Sequence, residues 1–568
     1  MCKNRFLGLL ALLPIVPYSG CEGPADSGAD RVFVNAAVYT VDDDRSWAEA
    51  VAVTDGEIVF VGSTDDAAAF IGDGSAVTDL DGKMLMPGFH DAHAHVRFGG
   101  LSESECDLQY AADIGRIREL LIECREAYDY QADEWVLGGG WSLAAFPDAD
   151  PSKDMLDEVF GSRPVLFGDA FGHNVWVSSR ALEIAGIDSS TPDPPQGVIV
   201  RDPETGEPTG TLRDSAMGLV GQYVPDATAE QRYQGLMAGL RRARQFGITA
   251  YIEPGSNEDG IAPYVRADRR GDLTARVLVS LSPIGALSGK FGPEIFELLA
   301  KRDEFRGTYL SPDSVKVYID GVIETRTSYM LEPYLNGENF PPYYQQDALN
   351  ELYRKLDETG VQIHTHAIGD AAIRSALDAY EHALLQNGPS DNRHQIVHLQ
   401  LIDAQDIPRF AELNVAADFQ CLWCYPDVYI PYAAGVVGDE RVQRFYPVRS
   451  VLDSGGLVVG GSDWNVSSLN PLDAIETAIT RQNPFENAGS VLGKNQQIDL
   501  KAALDMYTRN AAHVMRLDDR TGTIEVGKRA DLIVLDRNLF EIPVYEINEA
   551  RVLMTMMDGR TVHSSAEQ

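Results

Sequence analysis

A chain of 568 residues with a 44% hydrophobic composition is too long for one small core and too apolar for wholesale disorder. Its formal net charge is −39, and only 10 of its 47 basic residues are lysine. Such a surface repels phosphate backbones, so nucleic acid is not an expected partner.

The chain begins with Lys3 and Arg5, an apolar run from Phe6 to Val16, and then Tyr18-Ser19-Gly20-Cys21. The run is short for a membrane span and reads as the h-region of a signal peptide over residues 1–20. Small residues directly before a cysteine resemble the lipobox of bacterial lipoproteins. Cys21 is then the lipidation site, residues 21–30 form a polar tether, and the mature protein is exported and membrane-anchored on the periplasmic or extracellular face. Tyr18 departs from the usual Leu, which leaves ordinary cleavage nearby as the alternative. Cys106, Cys124, Cys421 and Cys424 remain in the mature chain, and sequence alone leaves their disulfide state open. Cys421-Leu-Trp-Cys424 has the spacing of half a zinc site, but no second such pair exists to complete it.

From Arg31 the sequence reads as β, with strands around Val32, Val38, Ala50–Val53 and Ile58–Val61 and a turn at Asp55-Gly56. This part spans residues 31–86. Eight short apolar runs then alternate with helical stretches: Gly88–His95, Ile248–Glu253, Arg276–Leu281, Val315–Gly321, Val361–His366, Gln395–Leu401, Val415–Leu422 and Leu457–Asp463. Eight such units predict a (β/α)8 TIM barrel over 87–516, with chemistry at the C-terminal strand ends. The gap of about 150 residues after the first run is far beyond a normal crossover, so an inserted subdomain at about 100–245 is expected over the active face. β segments return at Gly522–Gly527, Ala530–Leu535 and Arg551–Met556, so residues 517–568 are expected to complete a small β-sandwich built from both chain ends.

Chemistry gathers at the predicted strand ends. In Asp91-Ala-His93-Ala-His95, residues two apart on a strand face the same way, so two imidazoles converge as a metal requires. Alternation in Ser314–Gly321 turns Lys316, Tyr318 and Asp320 to one face. Lys316 is then either a carbamate, formed with carbon dioxide and able to bridge two cations, or an ammonium paired with Asp320 or another acid; spacing leaves these even. His364 and His366 end the fifth run, His398 lies in the sixth, and Asp463 ends the eighth. A ring of His, Lys and Asp at such positions reads as a metal site.

With those residues in place, the sequence resembles the amidohydrolase superfamily, in the branch that includes N-substituted formamide deformylase. Met86–His95, Lys316 with Asp320-Gly321, His366–Asp370, His398, Asp463 and Gly522–Val534 carry the resemblance, which covers nearly the whole mature chain. Val397 stands where the branch often has Glu, and Asn465 where Pro is common. The resemblance implies a hydrolase that cleaves a C–N bond of an amide-type small molecule, N-acyl, N-formyl or cyclic, but not a peptide. It implies one or two divalent ions, zinc by preference of a His-rich set. His93, His95, carbamylated Lys316 and Asp463 would hold one, and Lys316, His366 and His398 the other. Asp463 would serve as general base and then acid. His364 lies a layer deeper. His173 and Trp141 in the insert are candidate substrate contacts. A deaminase or ester hydrolase on the same site is the alternative reading, a non-catalytic binding or scaffold relative a more distant one. A homo-oligomer is left open.

Overall fold

The computed structural model describes residues 28–565, apart from 45, 104, 109–110, 112, 128–133, 143–144, 147–149, 170–173, 195–196, 215, 286–288, 325 and 487–488. Cys21 and His173 lie outside the described residues.

All eight apolar runs are strands of one parallel sheet: β1 Phe89–Asp91, β2 Ile248–Ser256, β3 Arg276–Leu281, β4 Leu310–Tyr318, β5 Gln362–Ala367, β6 Gln395–His398, β7 Ala416–Phe419 and β8 Val458–Gly460. They pair in sequence order from β1 to β8. The two outer strands meet where the Ala92 N–H donates to the Gly460 carbonyl (2.9 Å). This is the TIM barrel that the alternation predicts. β1 is shorter than expected. The Asp91 carboxylate accepts the backbone N–H groups of His93 and Ser462, both at 3.0 Å. The side chain thus takes over from the ladder at His93, and the strand stops before His93 and His95.

The long segment after β1 holds a barrel helix and a subdomain. Helix α1 (Val96–Ser102) packs against α2 (Ala229–Gln245), which leads into β2. Their backbones approach so closely that a Cβ on Gly239 would stand 2.1 Å from the Val96 carbonyl oxygen, and one on Gly100 would stand 2.0 Å from that of Gly235. Glycine is required there by contact, not by dihedral angle. Between the two helices a six-stranded mixed sheet runs in the order Gly197–Arg201, Pro208–Asp214, Asn174–Val177, Val165–Asp169, Val136–Trp141, Cys106–Asp107. It has its own core around Leu121, Leu156, Phe167 and Trp176. A Cys106–Cys124 disulfide ties its edge strand to the helix Ile114–Ala127. Cys421 and Cys424 are free and buried.

The terminal β segments form two further sheets. One has four strands, all from the N-terminal part. The other joins both ends, with Met84–Pro87 antiparallel to Leu532–Leu535. Phe33, Val38, Ile58, Leu85, Leu532 and Met556 fill the space between them. The stretch Gly522–Gly527 is not the expected strand. Its N–H groups go singly to different strand regions, Ile524 to the Thr40 carbonyl (2.8 Å) and Gly527 to that of Ile58 (2.9 Å), so it crosses the sandwich instead of pairing along one edge. Buried Arg276 of β3 anchors this sandwich to the barrel, donating to both oxygens of Asp531 (2.7 and 3.1 Å) and to Asp558 (3.0 Å). A paired, fully bonded charge of this kind is tolerated in an interior where a lone one is not.

Candidate metal centre

The turn after β1 presents two imidazoles to a carboxylate at the end of β8. The Asp463 N–H donates to the His93 carbonyl (2.7 Å) and the His95 N–H to that of Trp464 (2.7 Å), which fixes the turns against one another. Gly461 lets them close, since a Cβ there would stand 2.7 Å from that of His93. Asp463 is held at φ 51° and His398 at φ 83°, left-handed conformations that a non-glycine residue adopts only under constraint from its surroundings.

The Asp463 Oδ1 atom lies 3.4 Å from His93 Nε2 and 3.3 Å from His95 Nε2. Lys316 Nζ stands 3.5 Å from the same His93 nitrogen. His398 Nδ1 is 3.9 Å from Asp463 Oδ2, and the His366 and His398 rings are 4.5 Å apart. One ligand atom from each of His93, His398 and Asp463 falls within 4.8 Å of the others. Two donors on one tetrahedral ion at about 2.0–2.1 Å are about 3.3–3.4 Å apart. The His93–Asp463 and His95–Asp463 separations match such tetrahedral edges, so the residues fit a divalent cation. Lys316 does not pair with Asp320. That carboxylate accepts the N–H groups of Ile368, Gly369 and Tyr329 instead, at 3.0–3.1 Å.

Charge states follow from burial. Desolvation pushes the His93 and His366 pKa values down to about 3, so both rings are neutral and offer lone pairs at neutral pH. Burial lowers Lys316 to about 7, against the pull of Asp463 and Asp418. An uncharged amine is therefore accessible near neutrality.

His93, His95, Lys316, His398 and Asp463 thus converge, and the His366 ring meets that of His398 edge-on. His364 lies one level below, where its Nε2 meets His93 Nδ1 at 2.7 Å. Trp141 is elsewhere. It is fully buried against Phe146 and Trp176 in the insert, with its indole N–H donating to the Phe167 carbonyl (3.0 Å), and does not face a substrate. The insert reaches the rim through α1, where Gly99 abuts the Trp464 ring and Asn465 donates to Ser102 (3.3 Å). His90, His394 and His513 are engaged away from the centre by Thr521, Asp357 and Asp518.

Three residues at the centre escape the sequence reading. Asp418 of β7 is fully buried, and one oxygen lies within 4.8 Å of ring nitrogens of His93 and His364. Burial, with Asp91 nearby, holds its pKa well above the usual value. Gln420 accepts from His398 Nδ1 (2.8 Å) and donates to Asp418 (3.2 Å). Trp423 lies flat against His398, with centroids 5.6 Å apart and planes 11° from parallel. An inward Ala416, Asp418, Gln420 alternation in an otherwise apolar run was the available signal.

Comparison with known proteins agrees with this geometry. The model of the amidohydrolase family matches residues 76–563. The chain is 30% identical over 556 residues to Protein LONG AFTER FAR-RED 3 of Arabidopsis thaliana, covering 95% of this chain and 92% of that one. It is 26% identical over 543 residues to N-substituted formamide deformylase of Arthrobacter pascens, covering 93% and 97%. An uncharacterized metal-dependent hydrolase from Pyrococcus horikoshii shares the fold, with a TM-score of 0.73 at 22% identity over 90% of this chain and 99% of that one. With barrel, donor ring and matched span in agreement, the chain belongs to the amidohydrolase family.

Proposed function

We propose that this protein hydrolyses a C–N bond of an amide-type small molecule, N-acyl, N-formyl or cyclic, at the His–Asp–Lys centre. The carrying observation is Asp463 Oδ1 set at tetrahedral-edge distance from two imidazole nitrogens. The likeness to a formamide deformylase supports the choice of bond. His93, His95 and Asp463 would hold one divalent ion, and His366 and His398 a second, with zinc favoured by the imidazole-rich set. Bound ions supply Lewis acidity and lower the pKa of water.

The chain's own residues do the rest. Asp463 is the carboxylate placed to accept a proton from the attacking water and return it to the leaving nitrogen. The neutral Lys316 amine attacks carbon dioxide, forming an N–C bond as one C=O pair moves to oxygen and a proton is lost. The resulting carbamate offers two anionic oxygens between the two groups of imidazoles. Outside the centre, Cys21 would carry lipid and anchor the exported protein, and the insert around His173 would select the substrate.

The test is a panel of N-formyl, N-acyl, cyclic amide, amine and ester substrates given to zinc-loaded enzyme, native and His173→Ala. Turnover of amides is expected. Deamination or ester cleavage alone would replace this reading, and native protein without metal or turnover would point to a binding role.

A further inference from the structure

A row of buried side chains runs from the barrel wall to His93, and its hydrogen-bond directions are fixed from one end. Gln362 of β5 donates both amide hydrogens to main-chain carbonyls, Arg393 and Val514, each at 2.7 Å. Its Oε1 can therefore only accept, and it does so from the Ser314 hydroxyl (3.1 Å). With that hydrogen used, Ser314 accepts from Ser280 (2.8 Å). Ser280 then has no hydrogen left for its other neighbour, His364 Nδ1, at 3.2 Å. The three residues sit on adjacent strands in matched register, and all are buried.

We propose that this row sets the tautomer of His93. Ser280 must accept from His364 Nδ1–H. A neutral His364 is then bare at Nε2 and accepts from His93 Nδ1–H across the 2.7 Å contact. His93 in turn is bare at Nε2, the nitrogen that faces Asp463 Oδ1 and Lys316. A lone pair aimed at a carboxylate oxygen is the arrangement that a shared cation satisfies.

Gln395 as it stands opposes this polarity, its Nε2 lying 3.0 Å from His364 Nδ1 and its Oε1 buried without a partner among the described residues; the row requires the amide turned the other way, oxygen toward Nδ1–H. Ser280, Ser314 and Gln362 are thus positioning residues. They hold a metal ligand ready before metal arrives, acting through His364.

The inference rests on reading His93 as a ligand, and it is tested by two readouts other than turnover. The first is the imidazole 15N spectrum of the metal-stripped full chain, its fold checked by circular dichroism and the His93 signals assigned by their loss in His93→Gln. The second is competition for zinc against a chelator. Native protein should show a protonated Nδ1 and a bare Nε2 at His93. Ser314→Ala frees the Ser280 hydrogen to turn onto His364, so His93 should shift toward Nε2–H and zinc affinity should fall about 10–100-fold. Ser314→Thr, which keeps the hydroxyl, should restore both. A native His93 protonated at Nε2 overturns the proposal even if no variant folds. So does a folded Ser314→Ala with native His93 signals and native zinc affinity. Native protein with the expected tautomer that binds no zinc supports the row and overturns the metal reading instead.

Discussion

His95 Nε2 and Asp463 Oδ1 stand 3.3 Å apart across the seam where the first and eighth strands close the barrel. Asn at position 463 keeps a carbonyl oxygen for ligation but cannot carry a proton. Asp463→Asn should lose about 10²–10⁴ in rate while retaining most of its metal, measured by turnover beside elemental analysis. An equal loss of metal would reduce Asp463 to a ligand.

Lys316→Ala should lose or weaken one of two ions, because two cations would face each other without an anion between them. Acetate or propionate should restore part of the activity. Turnover intact in Lys316→Ala, with metal still bound, would remove the carbamate from the mechanism.

Trp141→Ala should destabilise the insert by about 3–5 kcal/mol, as expected for a large buried aromatic, and leave metal content unchanged. Calorimetry with metal analysis separates the two. An altered substrate profile at native stability would return Trp141 to the substrate surface.

The barrel–sandwich joint should be acid-sensitive. Burial opposes the charge of Asp558, but hydrogen bonds from Arg529, Tyr309 and Arg276 lower its pKa to about 2. A carboxyl depressed below its unfolded value of about 3.8 gives stability that is present above that pH and lost as pH falls toward 2. Asp558→Asn should therefore lower the melting temperature at pH 7, and the difference from native should narrow in that acid window. A pH-independent difference would mean that packing, not charge, holds the joint.

The mature chain should begin at a lipidated Cys21, and Cys21→Ser should stay unprocessed or become soluble. Intact-mass analysis of membrane-fractionated protein decides this; an unlipidated mature form of the native protein would remove the anchor.

The barrel was legible because each strand is a short Val- and Ile-rich run between helices, and the donor ring because its residues end those runs. The histidine pair was expected for the wrong local reason. His93 and His95 converge from a turn that Asp91 organises, not from alternate positions on a strand. Asp418 was hidden because a single acid among apolar residues looks like an interruption until its neighbours in space are known. Trp141 misled because its place in the insert over the active face suggested a substrate contact, whereas it ends a strand of the insert's own sheet, where Gly138 packs on Cys106. The start of β4 at Leu310 was masked by Ser311 and Asp313; Ser311 donates to Asp313, and Asp313 pairs with Arg306 at the barrel's edge.

The antiparallel pairing of Met84–Pro87 with Leu532–Leu535 has a consequence for biosynthesis. The strand leading into the barrel acquires this neighbour only when almost the entire chain has been made. Until then it presents an unpaired, apolar edge, the kind of surface that recruits other chains. A ribosome stalled before residue 532 would release a species with that edge exposed. Completion of the C-terminal strands therefore acts as a closing clasp, and shortened chains should be cleared by proteases or aggregate instead of accumulating as partial enzymes.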